Sequence, residues 1–588
     1  MSGPDQQSVT NPDATAWGSD VVADVLRSLG YPHAVIVPGA SFRGLHDSIV
    51  NHLGNRDPHL ITCLHENHAV SIADGYSRVT ETPLLVILHS NVGLMNGSMA
   101  IYNAWCDRRP MLILGATGPV DAHHRRPWID WVHTSKDQGA VVRSFVKWDD
   151  QPASAEAMVE SLLRADQITR AAPHGPVYVC LDAHIQEAAL NREVAVPSPA
   201  RFRAASSPAV PMDTLVAIDQ ALRNAKRPLI LAGRMSRSAA DWQKRIDLAE
   251  RYGATVLSSM NNAPAFPVEH ALHVVPPAGD KATDAETELL AESDLIVSLD
   301  WLDLAGFLRA RTGASQSQKP NRATIVHCSL DGLLANGWSM DHQALAAIDI
   351  PVLAEPDTLV AQLLGSSFEQ PAARAAEATP APHWTSRTRT EAADAPFELT
   401  QLAFAMADWS DTRDVTYARL PIGWPQRACR FRHPLDFLGK DGGGAVGTGP
   451  AHTVGAALAL KGSGRIVVGV IGDGDFSMGM NALWTAANQQ LPMMLVIANN
   501  GSYYNDEVHQ ERVAIQRHRA VENKGIGQRL DSPSIELAQI ASAQGFQAHA
   551  PVTNVTQLKE ALLAGTKVVE AGGCYFIDAR IKPGYAKD

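Results

Sequence analysis

Short apolar runs alternate with segments of helical periodicity along almost the whole chain. Residues 84–88, 111–114, 466–471 and 493–498 are examples, built mostly from Val, Ile, Leu and Met. A run that is apolar throughout predicts a strand buried on both faces, as in a parallel sheet covered by helices. The regular alternation of such strands with helices predicts an α/β fold of doubly wound parallel sheets.

Two stretches without apolar periodicity interrupt this pattern. Residues 187–213 contain several prolines and serines, and residues 365–396 are rich in Ala, Pro, Glu and Thr. Both are typical of linkers. A chain of 588 residues is too long for one domain. We therefore predict three α/β domains, at 1–188, 205–365 and 395–588.

Charge and cysteine usage narrow the class of protein. The formal net charge is −12 and there is no basic run, which argues against a nucleic-acid or anionic-membrane partner. No apolar stretch approaches the roughly 18 residues of a membrane span. Six scattered cysteines without a CxxC pair favour a reducing compartment. These features predict a soluble, cytoplasmic protein that acts on small molecules.

Polar residues follow two successive strands in the region 465–505. Asp473 lies in a Gly-Asp-Gly turn between Gly472 and Gly474, directly after one apolar run, and Asn500 follows the next run. Open α/β sheets bind ligands at this edge, where neighbouring strand ends meet. Carboxylate and amide oxygens suit Mg²⁺ or Ca²⁺, and the glycines admit an anion to the start of the following helix, predicted at 478–490. The alternative is an ordinary turn with a capping Asp.

Four segments together resemble the thiamine-diphosphate-dependent superfamily of acetolactate synthase and benzoylformate decarboxylase. They are HENHAVSIADGYSR at 65–78, GGGAVGTGPAHTVGAALAL at 442–460, GDGDF at 472–476 and NNGSYYNDE at 499–507. The resemblance implies a pyrimidine-binding first domain, a Rossmann-like central domain and a diphosphate-binding third domain. It also implies thiamine diphosphate and Mg²⁺ as cofactors, with Asp473, Asn500 and the backbone carbonyl of Ser502 as metal ligands.

The same resemblance assigns catalytic and cofactor-contacting roles. Glu66 would hydrogen-bond N1′ of the aminopyrimidine and so help to form the C2 ylide, and His89 would line the active site. Val446 would wedge beneath the bent cofactor. The remaining expected cofactor contacts are Gly472, Gly474, Asp475, Phe476 and Tyr503. In that family the two halves of a site come from different subunits, so a homodimer or homotetramer is expected.

Departures from the family pattern leave the substrate open. Asn91–Gly93 replaces the usual GPG, and Ala40 replaces a substrate-contacting serine, although Ser41 follows it. No G-x-G-x-x-G fingerprint follows a central-domain strand, so FAD is not expected. Candidates to face the substrate near the third-domain site are Tyr504, Asn505, Glu507 and His509.

The expected activity is that of a C–C bond lyase, a 2-oxo acid decarboxylase or carboligase acting on a 2-oxo acid or another small carbonyl compound. An acetolactate-synthase-like transferase is the first alternative. A 2-hydroxyacyl-CoA lyase is another, and it would need an ADP-binding pocket in the central domain. A non-catalytic cofactor-binding relative would not need Glu66, whose presence argues against that class.

Overall fold

The computed structural model describes residues 16–279, 281–312, 323–334, 345–366, 368 and 397–584. These residues form three α/β units, each built on one sheet in which every strand pair is parallel. The predicted fold class is confirmed. Most of the predicted linker at 365–396 lies outside the described residues. The predicted linker at 187–213 contains one 3₁₀ turn, Pro199–Arg201, and a helix begins at its end, at Met212.

The first unit contains a six-stranded sheet with the order β2-β1-β3-β4-β6-β5. Its strands are β1 (His33–Ile36), β2 (His59–Thr62), β3 (Leu84–Leu88), β4 (Met111–Thr117), β5 (Asp149–Asp150) and β6 (Pro176–Asp182). Its helices are α1 (Gly18–Ser28), α2 (Arg43–Asp47), α3 (Glu66–Thr80), α4 (Ser90–Cys106), α5 (Ile129–Val132), α6 (Ala155–Arg170) and α7 (Ala183–Glu187).

The central unit has a five-stranded sheet with the order β11-β10-β9-β7-β8. Its strands are β7 (Pro228–Ala232), β8 (Thr255–Ser258), β9 (Leu295–Leu299), β10 (Thr324–Cys328) and β11 (Ile350–Val352). Its helices are α8 (Met212–Asn224), α9 (Ala239–Tyr252), α10 (Asp284–Glu292), α11 (Leu304–Thr312) and α12 (Pro356–Gly365).

The third unit repeats the pattern, with the order β12-β13-β14-β16-β15. Its strands are β12 (Val415–Arg419), β13 (Ile466–Gly472), β14 (Met493–Asn499), β15 (Gln547–Ala548) and β16 (Cys574–Arg580). Its helices are α13 (Leu399–Ser410), α14 (Gly449–Ala459), α15 (Asp473–Gly479), α16 (Ala482–Asn488), α17 (Tyr504–Gln516), α18 (Leu537–Ala543) and α19 (Val555–Glu570).

The region after the Gly-Asp-Gly turn differs from its prediction. We expected a helix at 478–490, but the chain forms two shorter helices, α15 and α16. The break follows Gly479, against which Gly447 and Pro450 pack directly. A glycine at this point lets the segment before α14 approach the turn closely, and the helix is interrupted there.

Helices α3 and α14 join the first and third units through one shared apolar core. Gly75 of α3 lies against the backbone of His452, and Gly455 of α14 lies against Ile72. A Cβ at Gly455 would come within 2.7 Å of the Tyr76 backbone nitrogen. Because residue numbers rise along one helix as they fall along the other, the two helices are antiparallel.

Among the described residues, no helix combines the length and the apolar character needed to cross a membrane.

Candidate active site

Three neighbouring strand ends in the first unit bring polar side chains together. In the order β2-β1-β3, Glu66 follows β2, Ser41 follows β1 and His89 follows β3. All three strands are parallel, so these residues lie at the same carboxyl edge of the sheet. The sequence predicted Glu66 and His89 separately, and the topology places them at the same sheet edge, on either side of the loop that carries Ser41.

Glu66 is the first residue of α3 and is buried. Its carboxylate accepts a hydrogen bond of 3.1 Å from Asn96 Nδ2 on α4. Gly93 lies beside it, where an added Cβ would be 3.3 Å from Glu66 Cγ. The glycine in the unusual Asn91–Gly93 segment therefore leaves room for the glutamate side chain.

His89 lies between a serine and a second histidine. Its Nδ1 is 2.8 Å from Ser41 Oγ, and its ring is 4.7 Å from that of His133 in an edge-to-face arrangement. Burial lowers the pKa of His89, and His133 lowers it further. His89 is therefore more readily neutral, and able to accept a proton, than an ordinary histidine.

The second half of the predicted site lies on the third unit. Asp473 follows β13 and Asn500 follows β14, and these strands are adjacent and parallel. The Asn500 Oδ1 atom accepts the Ser502 backbone N–H at 3.0 Å. The side chain of the preceding Asn499 has other partners: it donates a hydrogen bond to Asp578 and accepts one from the Gly501 N–H. Of the two asparagines, Asn500 is the one whose backbone N–H contacts the Asp473 carboxylate.

The Asp473 carboxylate has the character of a metal ligand. It is buried, and its Oδ2 atom has no hydrogen-bond partner. Burial raises its pKa to about 6, although backbone N–H groups at Asn500 and Ser502 oppose the rise. A cavity of about 190 Å³ adjoins it, lined in part by Asn499 and Gly501. Buried hard oxygen atoms of this kind fit Mg²⁺.

The other predicted cofactor contacts have different placements. Gly472 ends β13, and Tyr503 packs so closely over Gly474 that a Cβ there would lie 2.5 Å from the ring. Phe476 is fully buried and its ring packs against Phe576, 5.0 Å away. The Phe476 side chain is thus a core residue, and only its backbone could approach a ligand.

Asp475 holds the glycine-rich segment 442–449 through two hydrogen bonds. Its Oδ1 atom accepts the backbone N–H of Gly447 at 2.7 Å and of Gly449 at 3.2 Å. Val446 directly precedes the first of these contacts and has half of its surface exposed. The carboxylate that we expected at the cofactor therefore fixes the segment that carries Val446.

The residues proposed to face the substrate after Asn500 open α17, which begins at Tyr504. Glu507 is buried and accepts a hydrogen bond of 2.5 Å from Ser502 Oγ. This bond ties α17 to the segment that carries the predicted third metal ligand. Glu507 is thus a structural partner of Ser502.

The two halves of the site are far apart within one chain. Ile72 of α3 lies level with Gly455 of α14. Glu66 lies six residues before Ile72 on α3, and Gly449 lies six residues before Gly455 on α14. Because the helices are antiparallel, these two offsets run in opposite directions and add. At about 1.5 Å per residue in two antiparallel helices, Glu66 and Gly449 are separated by about 18 Å along the helix axes. Glu66 therefore does not face the metal site of its own chain.

Sequence reasoning missed two parts of this region. His133 carries no motif, and it reaches His89 only because α5 folds over the start of α4. Asp441 directly precedes the glycine-rich segment, and its side chain is buried beside Arg419 and His452. The acidic residue directly before three glycines was the only available sequence signal for Asp441.

A larger cavity of about 420 Å³ lies between the first and central units. Arg234 of the central unit lines it and is paired with Asp300 and Asp331. Six carboxylates and four arginines line the cavity. Its charge balance does not favour a diphosphate.

Comparison with known proteins agrees with the geometry. Three family models match in order: the thiamine pyrophosphate enzyme N-terminal domain at residues 16–141, the central domain at 215–362 and the C-terminal domain at 421–579. Both terminal models are described as binding domains for thiamine pyrophosphate, which is thiamine diphosphate.

Individual relatives are similar over most of their length. Benzoylformate decarboxylase of Pseudomonas aeruginosa is 28% identical over 525 residues, which cover 86% of this chain and 90% of that protein. The acetolactate synthase isozyme 1 large subunit of Escherichia coli is 25% identical over 494 residues, which cover 82% of this chain and 81% of that protein.

Solved structures share the fold. The thiamine-diphosphate-dependent 4-hydroxybenzoylformate decarboxylase of Rhodococcus jostii superposes with a TM-score of 0.78 at 21% identity, covering 97% of this chain and all of that one. Benzoylformate decarboxylase of Polynucleobacter necessarius gives 0.78 at 22% identity with the same coverage. With all three domain models matched in sequence order, the chain belongs to the thiamine pyrophosphate enzyme family.

Proposed function

We propose that the protein is a thiamine-diphosphate- and Mg²⁺-dependent C–C bond lyase that decarboxylates a 2-oxo acid. The observation that carries the proposal is the paired geometry of the two half-sites. One unit holds Glu66 and His89 at the same carboxyl edge of its sheet, and another holds Asp473 and Asn500 at the ends of two adjacent strands. The similarity to benzoylformate decarboxylase supports the choice of reaction.

Asp473, Asn500 and the carbonyl of Ser502 would hold Mg²⁺, which in turn would bind the diphosphate. The unpartnered, buried Oδ2 atom of Asp473 supports this role, because a cation would relieve the cost of burying the charge. The packing of Tyr503 on Gly474 fixes the two loops relative to each other.

Bound thiamine diphosphate supplies a nucleophilic carbon and a sink for the electron pair left by the departing carboxylate. Glu66 would hold a proton against the N1′ atom of the pyrimidine, with Asn96 fixing its carboxylate. His89 would exchange a proton at the substrate carbon or oxygen, held in place by Ser41. Arg126 is paired with Asp130, so its charge is already balanced.

A second copy of the chain would complete each site. The separation of about 18 Å between Glu66 and the start of α14 requires a C-terminal unit from elsewhere to meet Glu66. Val92, Met95 and Met99 expose an apolar face of α4 beside Glu66, suited to such a contact. We propose a homodimer as the minimum active unit, with a homotetramer as a larger assembly.

The cellular setting follows from composition. Among the described residues, none of the six cysteines forms a disulfide, which supports a reducing, cytoplasmic location. The net charge of −12 supports a small-molecule substrate over a nucleic acid. We propose no requirement for FAD, because the central unit carries no dinucleotide-binding glycine motif.

Two alternatives remain within the same chemistry. An acetolactate-synthase-like carboligase is supported by the relatives of that name. A 2-hydroxyacyl-CoA lyase would use the cavity between the first and central units, but the excess of carboxylates there opposes it. We therefore rank the decarboxylase first.

The deciding experiment offers the purified protein, with Mg²⁺ and thiamine diphosphate, a panel of aromatic and aliphatic 2-oxo acids together with a 2-hydroxyacyl-CoA. Released CO₂ and aldehyde are measured, with and without an acceptor aldehyde. We expect CO₂ and aldehyde from at least one acid. Release of CO₂ only with a second 2-oxo acid, yielding an acetohydroxy acid, would identify the carboligase. Cleavage of 2-hydroxyacyl-CoA alone would refute the decarboxylase.

A further inference from the structure

A buried ionic cluster closes the glycine-rich segment at its start. The Asp441 side chain is 1% exposed and lies among several donors. Arg419 Nη1 is 2.7 Å from its carboxylate, His452 Nδ1 is 3.2 Å away, and Thr448 Oγ1 donates to it. We call the following residues the loop clamp: Asp74, Arg78, Arg419, Asp441, Thr448 and His452.

Two clamp residues belong to the first unit. Asp74 accepts Arg78 Nε at 2.8 Å and lies 3.0 Å from His452 Nε2. Arg78 Nη1 donates to the carbonyls of Leu438 and Lys440, at 3.2 and 2.9 Å. The last turns of α3 therefore hold the chain immediately before Asp441.

The clamp is not a metal site, although Asp74, Asp441 and His452 could bring ligand atoms within 4.8 Å of one another. Arg78 contacts both carboxylates, and Arg419 contacts Asp441. Burial raises the pKa of Asp441, but Arg419, His452 and Arg78 together lower it below its usual range. The negative charge is already balanced by protein cations, which leaves no demand for a metal ion.

The clamp adds to the hydrogen bonds that Asp107 and Asp475 accept from this segment, whose glycine-rich backbone has little stiffness of its own. Gly444 and Gly447 have φ of +67° and +96°, and a Cβ at Gly444 would meet nothing within 4 Å. Thr448 and Asp441 are seven residues apart, so their bond joins the two ends of the segment around Val446. Side chains, and not backbone stiffness, therefore set its path.

We infer that Asp441 is a positioning residue that fixes the segment 442–449, and with it Val446, in the shape that binds the cofactor. The inference rests on the proposed function for the identity of the cofactor. The fixing of the segment itself does not depend on it. Asp441 acts through the segment, since its carboxylate is buried and bonded within the protein.

The test compares Asp441→Asn with Asp436→Asn. Asp436 is a matched control: it is a carboxylate of the same unit, paired with Arg465 at 2.6 Å and bonded to the N–H groups of Arg432 and His433. It does not contact the segment. Thr448→Val is a milder second variant that removes one hydrogen bond and keeps the side-chain shape, should Asp441→Asn fail to fold.

The first measurement is amide hydrogen exchange of the protein without cofactor. We expect the amides of residues 442–449 to exchange about ten-fold faster in Asp441→Asn and a few-fold faster in Thr448→Val. Each variant weakens or removes hydrogen bonding to a charged carboxylate. Asp436→Asn should leave their exchange unchanged. Unchanged exchange in both segment variants would refute the clamp.

The second measurement is calorimetric titration with thiamine diphosphate at saturating Mg²⁺. Loss of an outer partner that orients a binding group weakens affinity by about 10- to 100-fold, and we expect this for Asp441→Asn. Affinity within two-fold of the wild type, or an equal loss in Asp436→Asn, would overturn the positioning role. If the wild type bound no thiamine diphosphate, the proposed function would fail, while the exchange experiment would still decide the clamp.

Discussion

Replacing Asp473 by asparagine should stabilise the protein without its cofactor and abolish its response to Mg²⁺. Burial raises the pKa of the carboxyl group from 3.8 to about 6, and its Oδ2 atom has no partner. The shift of about two pKa units corresponds to about 3 kcal/mol at about 1.4 kcal/mol per unit. An asparagine of the same shape carries no charge and avoids this penalty.

The sign of the pH dependence follows from the raised pKa. The native state holds the Asp473 proton more tightly than the unfolded chain, so its contribution to stability is complete below pH 3.8. That contribution is lost as the pH rises through about 6. Asp473→Asn should therefore exceed the wild type in stability by about 3 kcal/mol at pH 8 and by about half as much at pH 5.

The assay is thermal unfolding of metal-stripped protein at both pH values, repeated at pH 8 with Mg²⁺ and thiamine diphosphate. The wild type should gain stability from the ligands by mass action, whereas Asp473→Asn should gain little, which reverses their ranking. A variant that is less stable than the wild type at pH 8 without ligand would refute the burial argument. Equal stabilisation of both proteins by Mg²⁺ and cofactor would refute the metal assignment.

Three further substitutions test other parts of the structure. Glu66→Gln keeps the contact with Asn96 but should lower kcat by about 100-fold or more while cofactor affinity, measured by titration calorimetry, changes little; near-normal turnover would contradict the role of Glu66. His133→Phe preserves the ring contact with His89 and removes a group that lowers the His89 pKa. The acid limb of the pH–rate profile should therefore move to higher pH, and an unchanged limb would show that His133 does not influence the reaction. Gly455→Ala should lower the free energy of unfolding by about 1–3 kcal/mol, measured in denaturant, because the added methyl group overpacks against Tyr76. Gly365→Ala, where an added Cβ meets nothing within 4 Å, is the control, and equal unfolding midpoints in the two variants would contradict the close helix contact.

Features that depend on local sequence were predictable. Strands such as β3, β13 and β14 are almost entirely apolar runs. The polar residue that follows such a strand lies at the sheet edge whichever strands are neighbours. Asp473 and Asn500 could therefore be placed together from β13 and β14 alone, because these strands are consecutive in the chain. The same rule identified Glu66 after β2 and His89 after β3.

Features that depend on long-range packing were not predictable. His452 meets Asp74 because Gly75 and Gly455 let α3 and α14 approach closely, and nothing in either segment reveals the other. The inward turn of Phe476 depends on Phe576, which lies on a strand one hundred residues later. A pattern of glycines shows where backbones approach, but not which chain segment fills the space.

The antiparallel pairing of α3 and α14 links these observations. Glu66 begins α3, and the loop clamp engages Asp74 and Arg78 near its end. In the proposed dimer, Glu66 would serve the cofactor held by the partner, while the other end of the same helix holds the segment that binds the chain's own cofactor. One rigid helix of 15 residues would thus contact both active sites. Because a displacement at either end moves the whole helix, a substitution in the clamp should alter Glu66 placement as well as local cofactor affinity.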